Sequence, residues 1–365
     1  MKHSNSPLLS WIGRRVWPLV ALIVPLGAIA LFGGTGSIVF QREVTTMMMY
    51  MVVVVGYYIF VGNSGVTSFG HISFMIIGAY TAALLTLTVQ QKIILLPDLP
   101  SFLADVHFGF VGGALLGAVV AAVFAAVIAL PINRLTGISL SLAMFAILLT
   151  VNVIVSHWTS VTRGVTSMFG VPQSTTLGSA FVFASITIVA AWMFQWTRVG
   201  LRMRAAREDE PAARAVGISI PRDRAIAFIL SGFFVGLGGA LFAQFLGAFN
   251  SDTFYISTTL LTIAMLVIGG FKSLSGAVVG TVFVSALDAG LRRMEDGFAL
   301  GPLEVGSRPG LSAVGLALCM LLVLVFRSEG LTGSREIPSL WRLRRNETPP
   351  ADTLPAPATD RKDVS

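Results

Sequence analysis

The longest uncharged stretch of this chain, Val44–Gln91, runs for 48 residues without an Asp, Glu, Lys or Arg. Four further stretches of 27 to 34 residues, at 106–133, 135–162, 164–197 and 225–251, are also free of charge. Because a helix crosses the bilayer with roughly 20 apolar residues, each stretch is long enough to span it. With 55% hydrophobic and only 12% charged residues, the chain does not have the composition of a soluble enzyme. We therefore predict an all-α polytopic membrane protein.

The apolar segments predict about ten transmembrane helices, joined by short loops into one membrane domain. The predicted spans lie at about 17–33, 44–61, 72–89, 108–130, 138–156, 180–196, 225–247, 256–270, 275–290 and 310–326. One segment inside the longest uncharged stretch, Gly62–Gly70, is polar and rich in glycine. Irregular backbone at membrane depth is tolerated only where it is buried in protein or lines a wet cavity. We therefore predict that this glycine-rich segment is re-entrant or lines a pore.

The distribution of Lys and Arg predicts the orientation of the chain. With ten spans, 19 of the 25 basic residues fall on the side that holds both termini and the loop 197–224. The positive-inside rule places that side in the cytoplasm. We accordingly divide the chain into a cytoplasmic N-terminus (1–16), a membrane domain (17–330) and a disordered cytoplasmic tail (331–365). The end of the tail, 346–365, is rich in Pro, Asp and Thr and cannot bury a core.

The first apolar run also has features of a signal peptide. Basic residues precede it, and Ala28–Ala30 resembles a cleavage site. Since a chain with many later spans needs no removable signal, we interpret this run as an uncleaved first span.

The sequence contains no recognisable catalytic, metal or cofactor site. It has no G-x-x-x-x-G-K-[ST] phosphate loop, its four His residues are scattered, and Cys319 is its single cysteine. A membrane-embedded enzyme would need a catalytic cluster, and none is visible. A stand-alone secondary transporter or channel would keep ionisable groups at membrane depth. The best candidate, Asp288, is predicted to form a local ion pair with Arg292, one helical turn later.

The net charge of +7 is explained by basic cytoplasmic loops, so we expect no nucleic-acid partner. Seven of the basic residues lie in the loop 197–224, which also contains a short segment typical of a helix. Three acidic residues and Pro211 favour a helix start, alanines continue it and a glycine ends it. Such a helix suits docking in a groove of another protein, although a solvated basic loop would have a similar composition. The segment comprises Arg207, Glu208, Asp209, Glu210, Ala212, Ala213 and Gly217.

Three segments of the chain carry a family resemblance. The acid-x-Ala-Ala-x-x-x-Gly pattern at Glu210–Gly217 resembles the coupling loop of ABC importer permeases. The longer stretch 200–241, the glycine-rich segment with the following span at 62–85, and GGFKSLSGAVVG at 269–280 are together similar to one group. That group is the LivM-type permeases of branched-chain amino acid ABC importers.

The resemblance implies a permease subunit that needs no cofactor and is not itself an enzyme. It implies a second permease subunit, in a heterodimer, and two cytoplasmic ATP-binding subunits that hydrolyse ATP. An extracytoplasmic binding protein would deliver a small polar substrate, and membrane lipid would surround the complex in a bacterial inner (plasma) membrane. The segment 207–217 would couple the permease to the ATPase, with Glu208 and Glu210 capping the docking helix or pairing with basic groups of the ATPase.

The polar residues of the glycine-rich segment are predicted to line the substrate pathway, because a passing zwitterion needs hydrogen-bond partners at membrane depth. Packing of a re-entrant segment is the alternative. The predicted pathway residues are Asn63, Ser64, Ser68 and His71. Two departures from the family pattern, Lys272 and Pro211, leave the substrate open, and urea, short amides or aromatic acids are the alternatives to a branched-chain amino acid.

Overall fold

The computed structural model describes residues 7–132, 135, 137–295, 298–300, 303–305, 310–327 and 330–333, and most of them are helical. The helices are α1 (Pro7–Thr35), α2 (Ile38–Ser64), α3 (Ile72–Thr86), α4 (Val89–Leu95), α5 (Ser101–Ala104), α6 (Phe110–Ile132), α7 (Gly137–His157), α8 (Thr159–Thr162), α9 (Leu177–Trp196), α10 (Arg198–Glu208), α11 (Glu210–Ala215), α12 (Ile220–Leu246), α13 (Ile256–Gly269), α14 (Leu274–Glu295) and α15 (Leu311–Phe326). A 3₁₀ helix at Ser251–Phe254 precedes α13. Four short strands form two antiparallel pairs, β1 (Met168–Phe169) with β2 (Ala248–Phe249) and β3 (Phe298–Leu300) with β4 (Leu303–Val305).

Eight helices in the described part of the chain are long and apolar enough to cross a membrane, which confirms an all-α polytopic membrane protein. They are α1, α2, α6, α7, α9, α12, α13 with its preceding 3₁₀ helix, and α14. If the bent pair α3 and α4 is counted as one span, the described helices give nine, close to the predicted number of about ten. The structure differs from the prediction in two places. The third predicted span ends at Thr86, because Thr88 and Gln91 form a capping box that starts α4 at an angle of 117° to α3. The tenth, α15, has only 16 residues.

The centre of the molecule is occupied by α2, and most of its side chains from Val44 to Ser64 are buried. A helix that is apolar on all sides has no face for water and is stable only inside a larger assembly of helices. The helices packed around α2 are α1, α9, α10, α12, α13 and α14, and α12 is itself largely buried. The end of α2 therefore lies where several elements meet, next to the loop 197–224.

The contact between α6, α3 and α12 is made by small residues. Apart from the last residue, Ile132, the buried face of α6 consists only of glycine and alanine, which allows the backbones to approach closely. A Cβ added at Gly78 would lie 2.0 Å from the carbonyl oxygen of Gly236, and one added at Gly239 would lie 2.0 Å from that of Met75. These positions accept no side chain without movement of the backbone.

The outer connection between α3 and α6 is fixed by a buried lysine. Lys92 is 1% exposed and donates a hydrogen bond of 2.9 Å to the carbonyl oxygen of Leu103 and a second to that of Val106. The ammonium group thus satisfies carbonyls that regular structure leaves free.

The short helix α15 is fastened at both ends. Before it, the Glu295 carboxylate accepts hydrogen bonds from the N–H groups of Gly310 at 2.7 Å and Ser312 at 3.0 Å. After it, Leu331 N–H donates to the carbonyl oxygen of Ile268 at 2.8 Å, at the end of α13. The packed structure therefore continues to residue 333, three residues beyond the predicted boundary, and α1 likewise begins at residue 7 within the predicted N-terminus. The rest of the predicted tail, 334–365, lies outside the described residues.

Candidate functional site

The loop 197–224 folds into α10, α11 and the first turn of α12, and is called the coupling loop below. Asp209 joins its two short helices. Its N–H donates to the carbonyl oxygen of Ala205 at the end of α10, and its carboxylate accepts the N–H of Ala212 in α11 at 2.9 Å. The extended backbone of Asp209 (φ −149°, ψ 100°) is that of an N-cap. The predicted short helix is thus present, at Glu210–Ala215.

A small apolar cluster holds α11 in place. Ala213 is buried with Ala206 of α10 and Ile220 of α12. Gly217 then ends the helix in the left-handed region, at φ +82°, and the Ile218 N–H donates to the carbonyl oxygen of Ala213 at 3.1 Å. Only one of the two central alanines faces inward, so the other side of α11 is free.

The outer side of α11 carries small apolar residues beside one exposed charge, Arg214, which is paired with Glu210. The apolar exposed residues of α11 and its C-cap, called the docking surface below, are Pro211, Ala212, Ala215 and Val216, and the Val216 side chain is 77% exposed. An exposed apolar face on a short rigid helix is suited to insertion into a groove of a partner protein.

The two glutamates of the coupling loop make ion pairs and do not cap α11, which corrects the predicted capping role. Glu210 accepts hydrogen bonds from Arg214 at 2.6 Å and from Arg224 at 3.1 Å. Glu208 accepts two from Arg207, at 2.8 and 3.1 Å. The bonded Arg214, together with Arg224, lowers the pKa of Glu210 below its ordinary value, and Arg207 lowers the pKa of Glu208. Both carboxylates are therefore ionised at neutral pH.

A further ion pair, not anticipated from the sequence, fixes α10 to α12. Asp223 is 1% exposed, and Arg202 donates to its two carboxylate oxygens at 2.7 and 2.8 Å. Bidentate pairing of this kind restricts orientation as well as distance. The coupling loop is consequently a single rigid unit.

Arg207 points away from the docking surface and toward α2. Its Nη1 donates to the carbonyl oxygen of Gly62 at 2.6 Å, and its side chain is 14% exposed. Gly62 lies in the last turn of α2, where carbonyls have no partner within the helix. Gly65 follows at φ +72°, and a Cβ there would lie 2.5 Å from Cγ of Arg207. Arg207 thus joins the coupling loop directly to the glycine-rich segment.

The glycine-rich segment is irregular only at 65–71, since Gly62, Asn63 and Ser64 still belong to α2. It connects α2 to α3, and the chain continues away along α3. The segment predicted to be re-entrant or pore-lining is thus a connection between two helices, with Ser68 and Gly70 buried and Gly65, Thr67 and Phe69 exposed. Tyr57, two turns before the end of α2, donates its hydroxyl to the carbonyl oxygen of Ser68 at 2.6 Å. The irregular segment therefore runs back along α2 after that helix ends.

The four predicted pathway side chains are all buried, at 7% exposure or less. Asn63 donates to its own helix, Ser64 accepts from the following turn, and Ser68 Oγ lies 2.7 Å from Nδ1 of His71. Aromatic rings enclose the imidazole at centroid distances of 4.9 to 5.5 Å, namely those of Tyr57, Phe60, Phe74 and Phe228. In this conformation these side chains stabilise the turn, and their contact with substrate stays a prediction.

Neighbouring residues of the same segment line a groove of about 670 Å³. The groove lies between residues 65–69, α7 and α13, and it is called the α7–α13 groove below. Its wall is apolar, with Phe69, Phe145 and Leu260 among the exposed side chains. Its polar side chains are Thr67 and Ser141, and Ser141 donates its hydroxyl to the carbonyl oxygen of Thr67 at 2.6 Å.

Sequence reasoning missed Thr67 and Ser141, because their contact joins residues 74 positions apart and leaves no local pattern. The predicted local pair is present, with Arg292 Nε 2.8 Å from the Asp288 carboxylate. Within the described ranges, no three His, Cys, Asp or Glu side chains are grouped so that they could hold a metal ion.

Comparison with known proteins gives the same family as the sequence resemblance. Residues 41–325 match the family model described as branched-chain amino acid transport system / permease component. The high-affinity branched-chain amino acid transport system permease protein LivM of Salmonella typhimurium is 24% identical over 86% of this chain and 74% of its own length, and that of Escherichia coli has the same values. The corresponding LivH protein of Salmonella typhimurium is 24% identical over 80% of this chain and 94% of its own length.

Both the LivM and the LivH permeases are thus related to this chain. A family of multi-pass membrane permeases agrees with the helical fold and with the prediction of a transport subunit that is not an enzyme. The chain belongs to the family of permease components of branched-chain amino acid transport systems.

Proposed function

We propose that the chain is a permease subunit of an ATP-driven ABC importer for branched-chain amino acids in a bacterial inner membrane. It forms the pathway with a second, different permease subunit. Two cytoplasmic ATP-binding subunits supply the energy, and a binding protein outside the membrane supplies the substrate. The family to which the chain belongs and the relatives' names support this assignment.

The observation that carries the proposal is the coupling loop. Its docking surface is exposed, while Ala213 and the Arg202–Asp223 pair hold it rigidly on the membrane domain. A rigid helix transmits the movement of a partner better than a flexible loop, because no displacement is lost in bending. The sequence has no phosphate-binding loop, so the proposed energy source lies in separate subunits.

Reconstitution tests the proposal. The chain is placed in proteoliposomes together with the permease, ATP-binding and binding proteins encoded beside it, and uptake of radiolabelled L-leucine is measured with and without ATP. We expect uptake only with ATP and all subunits. Uptake by this chain alone would contradict the proposal, because it would make the chain a stand-alone transporter.

The substrate is tested in the same vesicles. Labelled L-leucine, urea, a short amide and an aromatic acid are compared, each with the binding protein present. Preference for leucine supports the assignment, whereas preference for one of the others would move the chain to a related importer. An ATP-binding subunit with an inactivated phosphate loop serves as the matched control.

A further inference from the structure

The α7–α13 groove contains backbone that is unusual for the outside of a membrane protein. Gly65, Thr67 and Phe69 are exposed, yet they belong to neither a helix nor a strand. Among the described residues, no group accepts a hydrogen bond from the backbone N–H of Thr67 or Phe69. Within those residues, both N–H groups are therefore unpaired.

We infer from its position along α7 that this irregular backbone lies at membrane depth. The 21 residues of α7 make a helix about 31 Å long, close to the thickness of the bilayer's hydrocarbon core. Gly70 packs on the backbone of Met144, seven residues into α7, so the irregular segment extends roughly 10 Å along that helix. Unpaired backbone amides are not tolerated against lipid at such a depth.

The outer face of α6 provides the contrast. Val119, Val123 and Val127 are between 46% and 61% exposed, and all of them lie in regular helix whose backbone groups are paired within it. That face is suited to contact with lipid. The groove also has exposed apolar side chains, but it adds the unpaired amides and the Thr67 hydroxyl, while the Ser141 hydroxyl already donates to the carbonyl oxygen of Thr67. An occupant of the groove must therefore offer hydrogen-bond acceptors.

We propose that the α7–α13 groove is this subunit's share of the substrate path and that the second permease subunit closes its open side. The proposal rests on the proposed function. The apolar wall, with Phe145, Ile256 and Leu260, suits the side chain of an aliphatic amino acid. The amides of Thr67 and Phe69 suit its carboxylate, since two backbone N–H groups are strong donors to an anion.

The position of the groove beside the coupling loop supports this assignment. Residues 65–69 form one wall of the groove, and Gly62 and Gly65 at the start of the same segment contact Arg207. A displacement of the coupling loop therefore reaches the groove through a single side chain and a few residues of backbone. The glycine-rich segment thus contacts both the coupling loop and the groove.

Cysteine labelling tests the groove. The single cysteine is removed as Cys319→Ser, with Cys319→Ala as a second background, and leucine uptake verifies each. Single cysteines are then introduced as Thr67→Cys and Leu260→Cys in the groove and as Val119→Cys and Val123→Cys on the lipid-facing side of α6. Each variant is assembled with its partner subunits and treated with a membrane-impermeant methanethiosulfonate.

We expect the groove cysteines to react faster than the α6 cysteines by on the order of tenfold or more, because thiols in hydrocarbon stay protonated and the thiolate is the reacting form. We also expect L-leucine, added with its binding protein and ATP, to slow labelling at Thr67→Cys. A bifunctional thiol reagent joins Leu260→Cys to cysteines placed on the second permease.

Equal, slow labelling at all four positions, with uptake intact, would overturn the groove as the path. Fast labelling without any cross-link to the second permease, when both chains carry cysteines, would overturn the closure by that subunit. Failure of the proposed function is a separate result: the complete assembly would then lack ATP-dependent leucine uptake, whatever the labelling pattern.

Discussion

Replacement of Arg207 by alanine separates two proposed roles of the coupling loop, which are binding of the ATPase and transmission of its movement to the membrane domain. The docking surface of α11 does not include Arg207 and keeps all its residues. The lost contacts are the hydrogen bond of 2.6 Å from the guanidinium to the carbonyl oxygen of Gly62 and the ion pair with Glu208, whose side chain is 66% exposed. An exposed ion pair of this kind contributes little, so the bond to Gly62 dominates the effect. We therefore expect Arg207→Ala to leave the ATPase bound and active while substrate transport falls.

The size of the effect follows from the geometry. A hydrogen bond from a charged group that is largely shielded from water contributes about 1.5–3 kcal/mol, which corresponds to a factor of about 10 to 150. The carbonyl of Gly62 also sits at the negative end of the α2 dipole, which strengthens its attraction for a cation. We expect leucine uptake per ATP hydrolysed to fall about tenfold or more in Arg207→Ala. Arg207→Lys keeps one donor and should restore part of the ratio.

The assay measures ATP hydrolysis and leucine uptake in the same proteoliposomes. Arg198→Ala is the matched control, because Arg198 lies on the same helix, is exposed, and makes no ion pair with another described residue. A thermal unfolding curve verifies that each variant is folded. An unchanged ratio in Arg207→Ala, with normal folding, would refute transmission through Gly62.

Three further predictions concern single positions. Gly217→Pro should abolish co-purification of the ATPase, because proline cannot adopt the φ of +82° that Gly217 has. Gly217→Asn should retain binding, because asparagine adopts the left-handed backbone region more readily than other residues. Gly239→Ala should lower the stability of the permease by about 1–3 kcal/mol in thermal unfolding, since the new methyl group meets the backbone of α3, while Gly178→Ala, where the space is open, should not. Glu210→Gln should lower the unfolding temperature at pH 7. The pKa of Glu210 is depressed in the folded state, so its stabilising effect is present above the ordinary value of 4.5 and is lost as the pH falls. The variant and the unmodified protein should therefore converge in acid.

The membrane architecture could be predicted because one force dominates it. Uncharged stretches of the required length have no alternative to the hydrocarbon, so the positions of α2, α6, α7, α9 and α12 follow from charge alone. The bend after Thr86 was missed because Thr88 and Gln91 change the direction of the chain without changing its hydropathy. Composition does not carry that information.

The short helix of the coupling loop was predictable and its cap was not. Glu208, Asp209 and Glu210 follow one another, so composition does not tell which of the three caps α11. The extended backbone angles of Asp209 identify it as the N-cap. The ion pairs then depend on arginines brought near by the turn of the chain, such as Arg224.

The glycine-rich segment shows most clearly what could not be predicted from the sequence. Its polar side chains suggested contact with substrate, but His71 and Ser68 bond to each other and are enclosed by rings from three helices. The contact of Arg207 with Gly62 spans 145 residues of sequence. Only the packed structure distinguishes a side chain that faces a groove from its neighbour that faces the core.

The short last helix has a consequence for the lipid around the protein. With 16 residues, α15 is about 24 Å long, several ångströms less than a typical hydrocarbon core. Because the Glu295 carboxylate holds one end and the bonds to Ile268 hold the other, the helix cannot shift to hide this difference. Where α15 faces lipid, the difference has to be met by thinning of the bilayer or by contact with another protein surface, and the cost of thinning grows with acyl-chain length. The length of α15 thereby links this permease to the thickness of the surrounding bilayer.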